Sequence, residues 1–114
     1  MLFTPKSGIC VGCWNVRSLG NPTKQNGRLR DVLRTMKEKN MEILALSEVR
    51  WPGHGVSQLE EAVIVHSGMD VSDRQCRSCG VAVIFSEKAA AAWRAAGSVF
   101  DHVSKRILRA GVLL

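Results

Sequence analysis

Apolar residues first cluster at Ile9-Cys10-Val11-Gly12-Cys13-Trp14, a short run closed by Asn15 and followed by the turn-forming Gly20-Asn21-Pro22. The run predicts a strand that ends in a loop. From Lys24 to Asn40 the apolar positions fall at Leu29, Val32, Leu33 and Met36, the i, i+3, i+4, i+7 spacing of an amphipathic helix with a mostly basic remainder. Met41 to Val49 is apolar except at Glu42, Ser47 and Glu48, and Pro52-Gly53 follows, so a buried strand is expected to end near Glu48. Strand, helix, strand is the order of a βαβ unit, whose strands can run parallel when the crossover is long enough to hold a helix.

Ala62 to His66 predicts a third strand and Gly80 to Phe85 a fourth, joined as a hairpin through the long polar stretch from Ser67 to Cys79. Ser86 is a good helix N-cap, the alanine-rich stretch from Glu87 to Ala96 holds neither Gly nor Pro, and Gly97 stops it. Val99 to Val103 and Ile107 to Leu114 read as two last strands. The order is therefore β, α, β, β, β, α, β, β. No repeat or linker divides residues 1–114, and residues 1–8 are expected to be disordered. The final run, Ala110-Gly111-Val112-Leu113-Leu114, has no turn or cap after it, so an α/β domain truncated within its sheet is expected, with an exposed edge that invites self-association.

Length and composition narrow the classes. A chain of 114 residues, 46% hydrophobic and 23% charged, supports one folded core and excludes both a disordered chain and a large enzyme. Its longest apolar stretches, Val81 to Phe85 and Ala89 to Trp93, fall far short of the roughly 20 residues that span a bilayer, so no membrane partner is expected. Thr4, Pro5, Lys6, Ser7 and Gly8 interrupt any signal-peptide core, which favours an intracellular location. A net charge of +6 favours a polyanion, nucleic acid being the commonest.

Asn15 and Glu48 are the best candidates for chemistry, because each stands at the carboxyl end of an apolar strand of one βαβ unit. Ligands of open α/β sheets bind there, and the two side chains offer hard oxygen donors suited to Mg²⁺ or Mn²⁺. Spacing alone favours a plainer reading, with Asn15 a turn residue and Glu48 a strand-end surface charge. The local wording shifts the balance.

Cys13-Trp14-Asn15-Val16-Arg17-Ser18-Leu19, then Leu46-Ser47-Glu48-Val49-Arg50-Trp51-Pro52-Gly53-His54-Gly55, then Gly80-Val81-Ala82-Val83-Ile84-Phe85 together resemble the endonuclease/exonuclease/phosphatase superfamily. More narrowly they resemble the endonuclease domain of LINE-type non-LTR retrotransposons and the craniofacial development protein 2-like proteins. The resemblance runs from Ile9 to Leu114, is specific in the first two stretches and loosest in Arg106 to Leu114. It implies part of a two-layer α/β sandwich, Mg²⁺-dependent (or Mn²⁺-dependent) phosphodiester hydrolysis, DNA as partner and a nuclear location. By position Glu48 is the family's metal-ligand glutamate and Asn15 the asparagine of its first motif, near metal and phosphate. Arg17, Arg28, Arg50 and Trp51 are candidate nucleic-acid contacts.

The family's catalytic tyrosine, Asp-x-Asn motif and terminal Asp-His pair have no counterpart here. The chain contains no Tyr, and His54, His66 and His102 do not fall at the matching position. Without a general base, the 114 residues alone are not expected to cut DNA at a useful rate.

A different class competes. Cys10-x-x-Cys13 and Cys76-x-x-Cys79 can be read as a zinc site stabilising a small non-catalytic nucleic-acid-binding module. Against it, Cys10 and Cys13 lie in a predicted strand, where residues three apart face opposite ways, and the pairs are far apart in sequence. Zinc is not expected. Lys24, Arg28, Arg30, Arg34, Lys37 and Lys39 on the first helix suit a DNA backbone or simply a solvated face. Trp14 and Trp93 adjoin apolar runs and are expected in the core, whereas Trp51, before Pro52-Gly53, is the expected surface aromatic that could stack on a base.

Overall fold

The expected βαβ unit forms from β1 (Val11–Asn15), α1 (Gly27–Glu38) and β2 (Ile43–Ser47), with the strands parallel neighbours from Val11 opposite Ile43 to Asn15 opposite Ser47. The structure, a computed structural model, describes residues 10–20, 27–68, 79–98, 100–104 and 107–110. Residues 1–8, the Asn21-Pro22 turn, Lys24, Cys76, the side chain of His102 and the run after Ala110 lie outside the described residues.

Next come β3 (His54–Gln58), β4 (Ala62–Ser67), β5 (Val81–Ser86), α2 (Glu87–Ala95), β6 (Phe100–Ser104) and β7 (Ile107–Ala110). The first five strands make one mixed sheet in the order β1-β2-β5-β4-β3, antiparallel at every pairing but the first, and β6 and β7 form a separate two-stranded sheet. The third and fourth expected strands do pair as an antiparallel hairpin, Ala62 opposite Ser86 and Ser67 opposite Val81. The fold is mixed α/β, consistent with part of an α/β sandwich.

One strand was not expected. β3 has a single large apolar residue, Val56, and that residue is exposed. Its existence rests on ladder bonds to β4, His54 opposite Ser67 through Gln58 opposite Val63, and an edge strand needs no apolar face to make them.

The period of two along the strands sorts the core into two faces. Leu44, Leu46, Ile64, Ala82 and Ile84 meet Leu29, Val32 and Met36 of α1 on one side. Val63, Val65 and Phe85 meet Ala89, Ala90 and Trp93 of α2 on the other, with Phe100 of β6 beside them. Trp93 is buried and stacks on Phe85, as expected for a core aromatic.

The two other tryptophans are reversed. Trp14 is exposed because β1 is the outermost strand of the sheet, where an apolar run is flanked on one side only. Trp51, expected on the surface and as a base-stacking contact, is buried: its Nε1–H donates to Gly20 O at 2.7 Å and its ring meets His66 edge to face. Indole in this site satisfies its one polar atom while burying the rest.

At the far end of the sheet Ser86 caps α2 as its sequence suggests. Its Oγ accepts from Ala89 N–H at 3.2 Å and donates to the Glu42 carboxylate. Gly97, with φ of +98°, closes the helix through its N–H to Arg94 O. Ser86→Ala is expected to cost about 1 kcal/mol and lower Tm by roughly 4 °C in thermal unfolding. An unchanged Tm would exclude the cap.

Candidate functional site

At the carboxyl ends of β1 and β2 the chain makes a corner whose backbone is unusually constrained. Ser18 N–H donates to Glu48 O at 2.6 Å and Leu19 N–H to Val49 O at 3.1 Å, so the segment after β1 tracks the segment after β2. On the other flank Val49 N–H donates to Gly80 O at 2.9 Å and Arg50 N–H to Cys79 O at 3.0 Å. Residues 48–50 are thus clasped from both sides.

Four non-glycine residues here are left-handed: Arg17, Ser18, Glu48 and Arg50, with φ of +50°, +99°, +54° and +62°. Each such residue costs on the order of 1–3 kcal/mol, and such strain persists only where the surroundings over-determine it. Gly80 makes the clasp possible, since a Cβ there would lie 2.8 Å from Arg50 N and its φ is +95°.

The corner brings together the residues the sequence singled out. Asn15 ends β1 opposite Ser47, and Glu48 follows Ser47 directly, so the two candidates stand at the same end of adjacent parallel strands. The Asn15 Oδ1 accepts from Arg17 N–H at 3.2 Å, which orients the carboxamide and leaves its oxygen a second lone pair. The Glu48 side chain is 23% exposed, and its Oε1 is 3.7 Å from an Arg50 guanidinium nitrogen. Arg28, at the start of α1, donates from Nη1 to Val16 O at 3.1 Å and so stands at the same end. The Arg28 and Arg50 side chains therefore stand at the same strand ends as the Glu48 carboxylate and the Asn15 carboxamide, with the Arg17 backbone beside Asn15.

The donor chemistry admits a hard divalent ion in one manner only. Among the described residues no three His, Cys, Asp or Glu side chains gather as a metal group. Mg²⁺ commonly binds through one or two carboxylates, keeps several waters and shares substrate phosphates, and an oxygen pair such as Asn15 and Glu48 fits that mode rather than an all-protein cage.

Other candidates are dispersed. Cys10 and Cys13 are exposed at the β1 edge, while Cys79 is buried beside Gly80. Along α1, Arg34 pairs with Asp31 at 2.9 Å and Lys37 with Glu61 at 3.3 Å, so part of its basic face is engaged by acidic neighbours. His54 opens β3 on the surface and half-buried His66 packs on Trp51. A groove of about 740 Å³, floored by Leu29, Leu33, Met41 and Leu59, lies at the opposite end of the sheet, by Glu42 and Ser86. It does not include Asn15 or Glu48.

The clasp itself was not visible in the sequence. The signal that could have found it is the alternation of Val49 and Trp51 with Glu48 and Arg50: the structure buries the first two, leaves Glu48 part-exposed and exposes Arg50.

No family model matches the chain, and no solved structure matches it. It is similar to craniofacial development protein 2 of Bos taurus and of Tragulus javanicus, 35% identical to each over 83 residues, or 73% of this chain. Those residues are 12% and 13% of the two relatives, so the chain spans about an eighth of the curated proteins it matches. Among the described residues no helix is long and apolar enough to cross a membrane.

Proposed function

We propose that this chain, similar over most of its length to craniofacial development protein 2, carries one half of the active site of a Mg²⁺-dependent endonuclease domain of the endonuclease/exonuclease/phosphatase type. Its ancestry on this reading is a LINE-type retrotransposon, its partner DNA and its location nuclear. The observation that carries the reading is Glu48, held left-handed beside Asn15 at the carboxyl end of two parallel strands. A carboxylate kept in a strained backbone position is the kind of outlier from which function is inferred.

Glu48 and Asn15 would hold the ion. The chemistry Mg²⁺ supplies when bound is polarisation of the phosphodiester and neutralisation of charge on the leaving oxygen. Arg50 holds Glu48 in place and, with Arg17 and Arg28, supplies positive charge for the DNA backbone. Each phosphate so neutralised adds salt-dependent affinity. The family's terminal Asp-His pair, which would supply a general base for a water, has no counterpart in the sequence, so these 114 residues are expected to bind without cutting.

The test is paramagnetic broadening by Mn²⁺ in NMR spectra of the full chain. Broadening is expected at Asn15 and Glu48, and Glu48→Asn should weaken it at least about tenfold. Asn tolerates the left-handed region well, so this variant should change stability by less than about 1 kcal/mol. Broadening that survives Glu48→Asn would sink the assignment. Mg²⁺-dependent nicking of supercoiled plasmid, lost in Glu48→Asn, would instead show the half-site to be sufficient and overturn the expected inactivity.

A further inference from the structure

The large apolar side chains exposed among the described residues are Val11 at 48%, Trp14 at 40% and Val56 at 45%, and all three lie on the two edge strands of the five-stranded sheet. The edges differ in protection. β3 carries polar His54, Ser57 and Gln58, with Gln58 held by Arg94 at 2.8 Å. β1, Val-Gly-Cys-Trp-Asn, has no charge, no proline and an unbroken register with β2, so it lacks three of the devices that blunt strand edges: charge, proline and a bulge.

The backbone of β1 is arranged to pair again. Cys10 O accepts from Glu42 and Ile43 N–H, and Val16 N–H donates to Ser47 O, so the even-numbered residues turn their amide groups toward β2. The odd-numbered ones, Val11, Cys13 and Asn15, turn theirs to the edge that pairs with no other described strand.

We propose that β1 pairs antiparallel with β1 of a second copy of this chain, across a two-fold axis at Cys13. That centre engages all three outward-facing residues, Val11 with Asn15 of the partner and Cys13 with its equivalent, whereas a centre on Gly12 or Trp14 strands one of them. It also sets each Trp14 over the partner's Gly12, an aromatic covering a strand glycine, which compensates for the missing side chain. The arrangement is isologous and closes as a dimer, unlike β1 against β3, which would propagate. One strand pair buries less than the roughly 1,200 Å² typical of stable interfaces, so the dimer is weak and concentration-dependent.

Cys13 provides the specific readout. Opposed residues that exchange both backbone bonds have Cα atoms about 5.5 Å apart, inside the range of about 4.4–6.8 Å that a disulfide spans. Sedimentation of the full chain in reducing buffer should show a monomer–dimer equilibrium. Cys13→Lys, which places two like charges at the axis, should weaken it at least about tenfold. Val56→Lys on the other edge should leave it unchanged, with circular dichroism showing both variants folded. The thiol oxidant diamide takes up one hydrogen from each of two thiols as it is reduced to the hydrazine, and peptide mapping should find Cys13 joined to Cys13. A chain monomeric at every concentration up to about 1 mM, a dimer lost in Val56→Lys but kept in Cys13→Lys, or cross-links through Cys10 alone would each overturn the pairing.

Discussion

Gly68→Ala is expected to unfold the chain or come close to it. An alanine Cβ at this position would overlap the Trp51 carbonyl oxygen and lie 3.0 Å from Gly53 O. Both obstacles are backbone, and Gly68 N–H donates to Gly53 O at 2.7 Å, so neither segment can withdraw without breaking the contact. Overpacking commonly costs 1–3 kcal/mol, and a clash between fixed backbones belongs at or above about 3 kcal/mol. Against a typical total of about 5–15 kcal/mol this is a large share. Thermal and urea unfolding should show Tm lower by roughly 10 °C or more. Gly55→Ala is the matched control: its Cβ would meet only His66 Cε1, at 3.6 Å, an ordinary contact. A change below about 1 kcal/mol is expected there. Equal Tm values for the two variants would mean that the end of β4 does not press against Trp51.

Trp51→Ala is the second large effect. The side chain is 3% exposed, sits in the core beneath α1, donates to Gly20 O and packs on His66. Removing a buried aromatic of this size costs about 3–5 kcal/mol. Trp51→Phe retains most of the apolar volume and loses the N–H donor, leaving Gly20 O without that partner, for about 1–2 kcal/mol. The order alanine worse than phenylalanine worse than wild type, read from urea midpoints, is the expected result. A surface tryptophan serving as a stacking platform would give near-neutral stability in both variants and weaker DNA binding instead. Trp51 also anchors the segment that begins at Glu48, so Mn²⁺ broadening at Asn15 and Glu48 should fade in Trp51→Ala even at temperatures where the rest of the chain is folded.

Both variants act on the corner that carries the candidate site, which shows how the site is built. Glu48 and Arg50 face outward on strained backbone because Val49 and Trp51 are drawn inward between them and because Ser18, Leu19, Cys79 and Gly80 hold the backbone on either flank. The strain is sustained by core burial next door. The candidate carboxylate of Glu48 and the core aromatic of Trp51 are two ends of one short segment.

How far the sequence reached depended on the kind of signal. The α1 stripe at Leu29, Val32, Leu33 and Met36, the Ser86 cap and the Gly97 stop are local effects of periodicity and backbone geometry, and the structure places all of them as expected. The parallel pairing of β1 with β2, which sets Asn15 opposite Ser47 and so at the same strand end as Glu48, followed from the crossover length. β3 could not be read, since its bonds are backbone bonds to β4 and carry no apolar signature. Trp14 and Trp51 were reversed for a related reason. An apolar run reports that a strand exists and is silent on whether the strand is central or at the edge, and Pro52-Gly53 marks a turn without saying which side chain that turn folds over.

The sequence by itself determined both helices, every strand but β3 and the placing of Asn15 and Glu48 at strand ends, because local propensity and hydrophobic period act within a few residues of chain. Only the tertiary structure decided that β1 is an edge, that Trp51 is core, and that Glu48 is clasped in a left-handed turn by Ser18 and Gly80. Those outcomes depend on hydrogen bonds and packing between segments about 30 residues apart, and no local pattern encodes which distant backbone will be at hand.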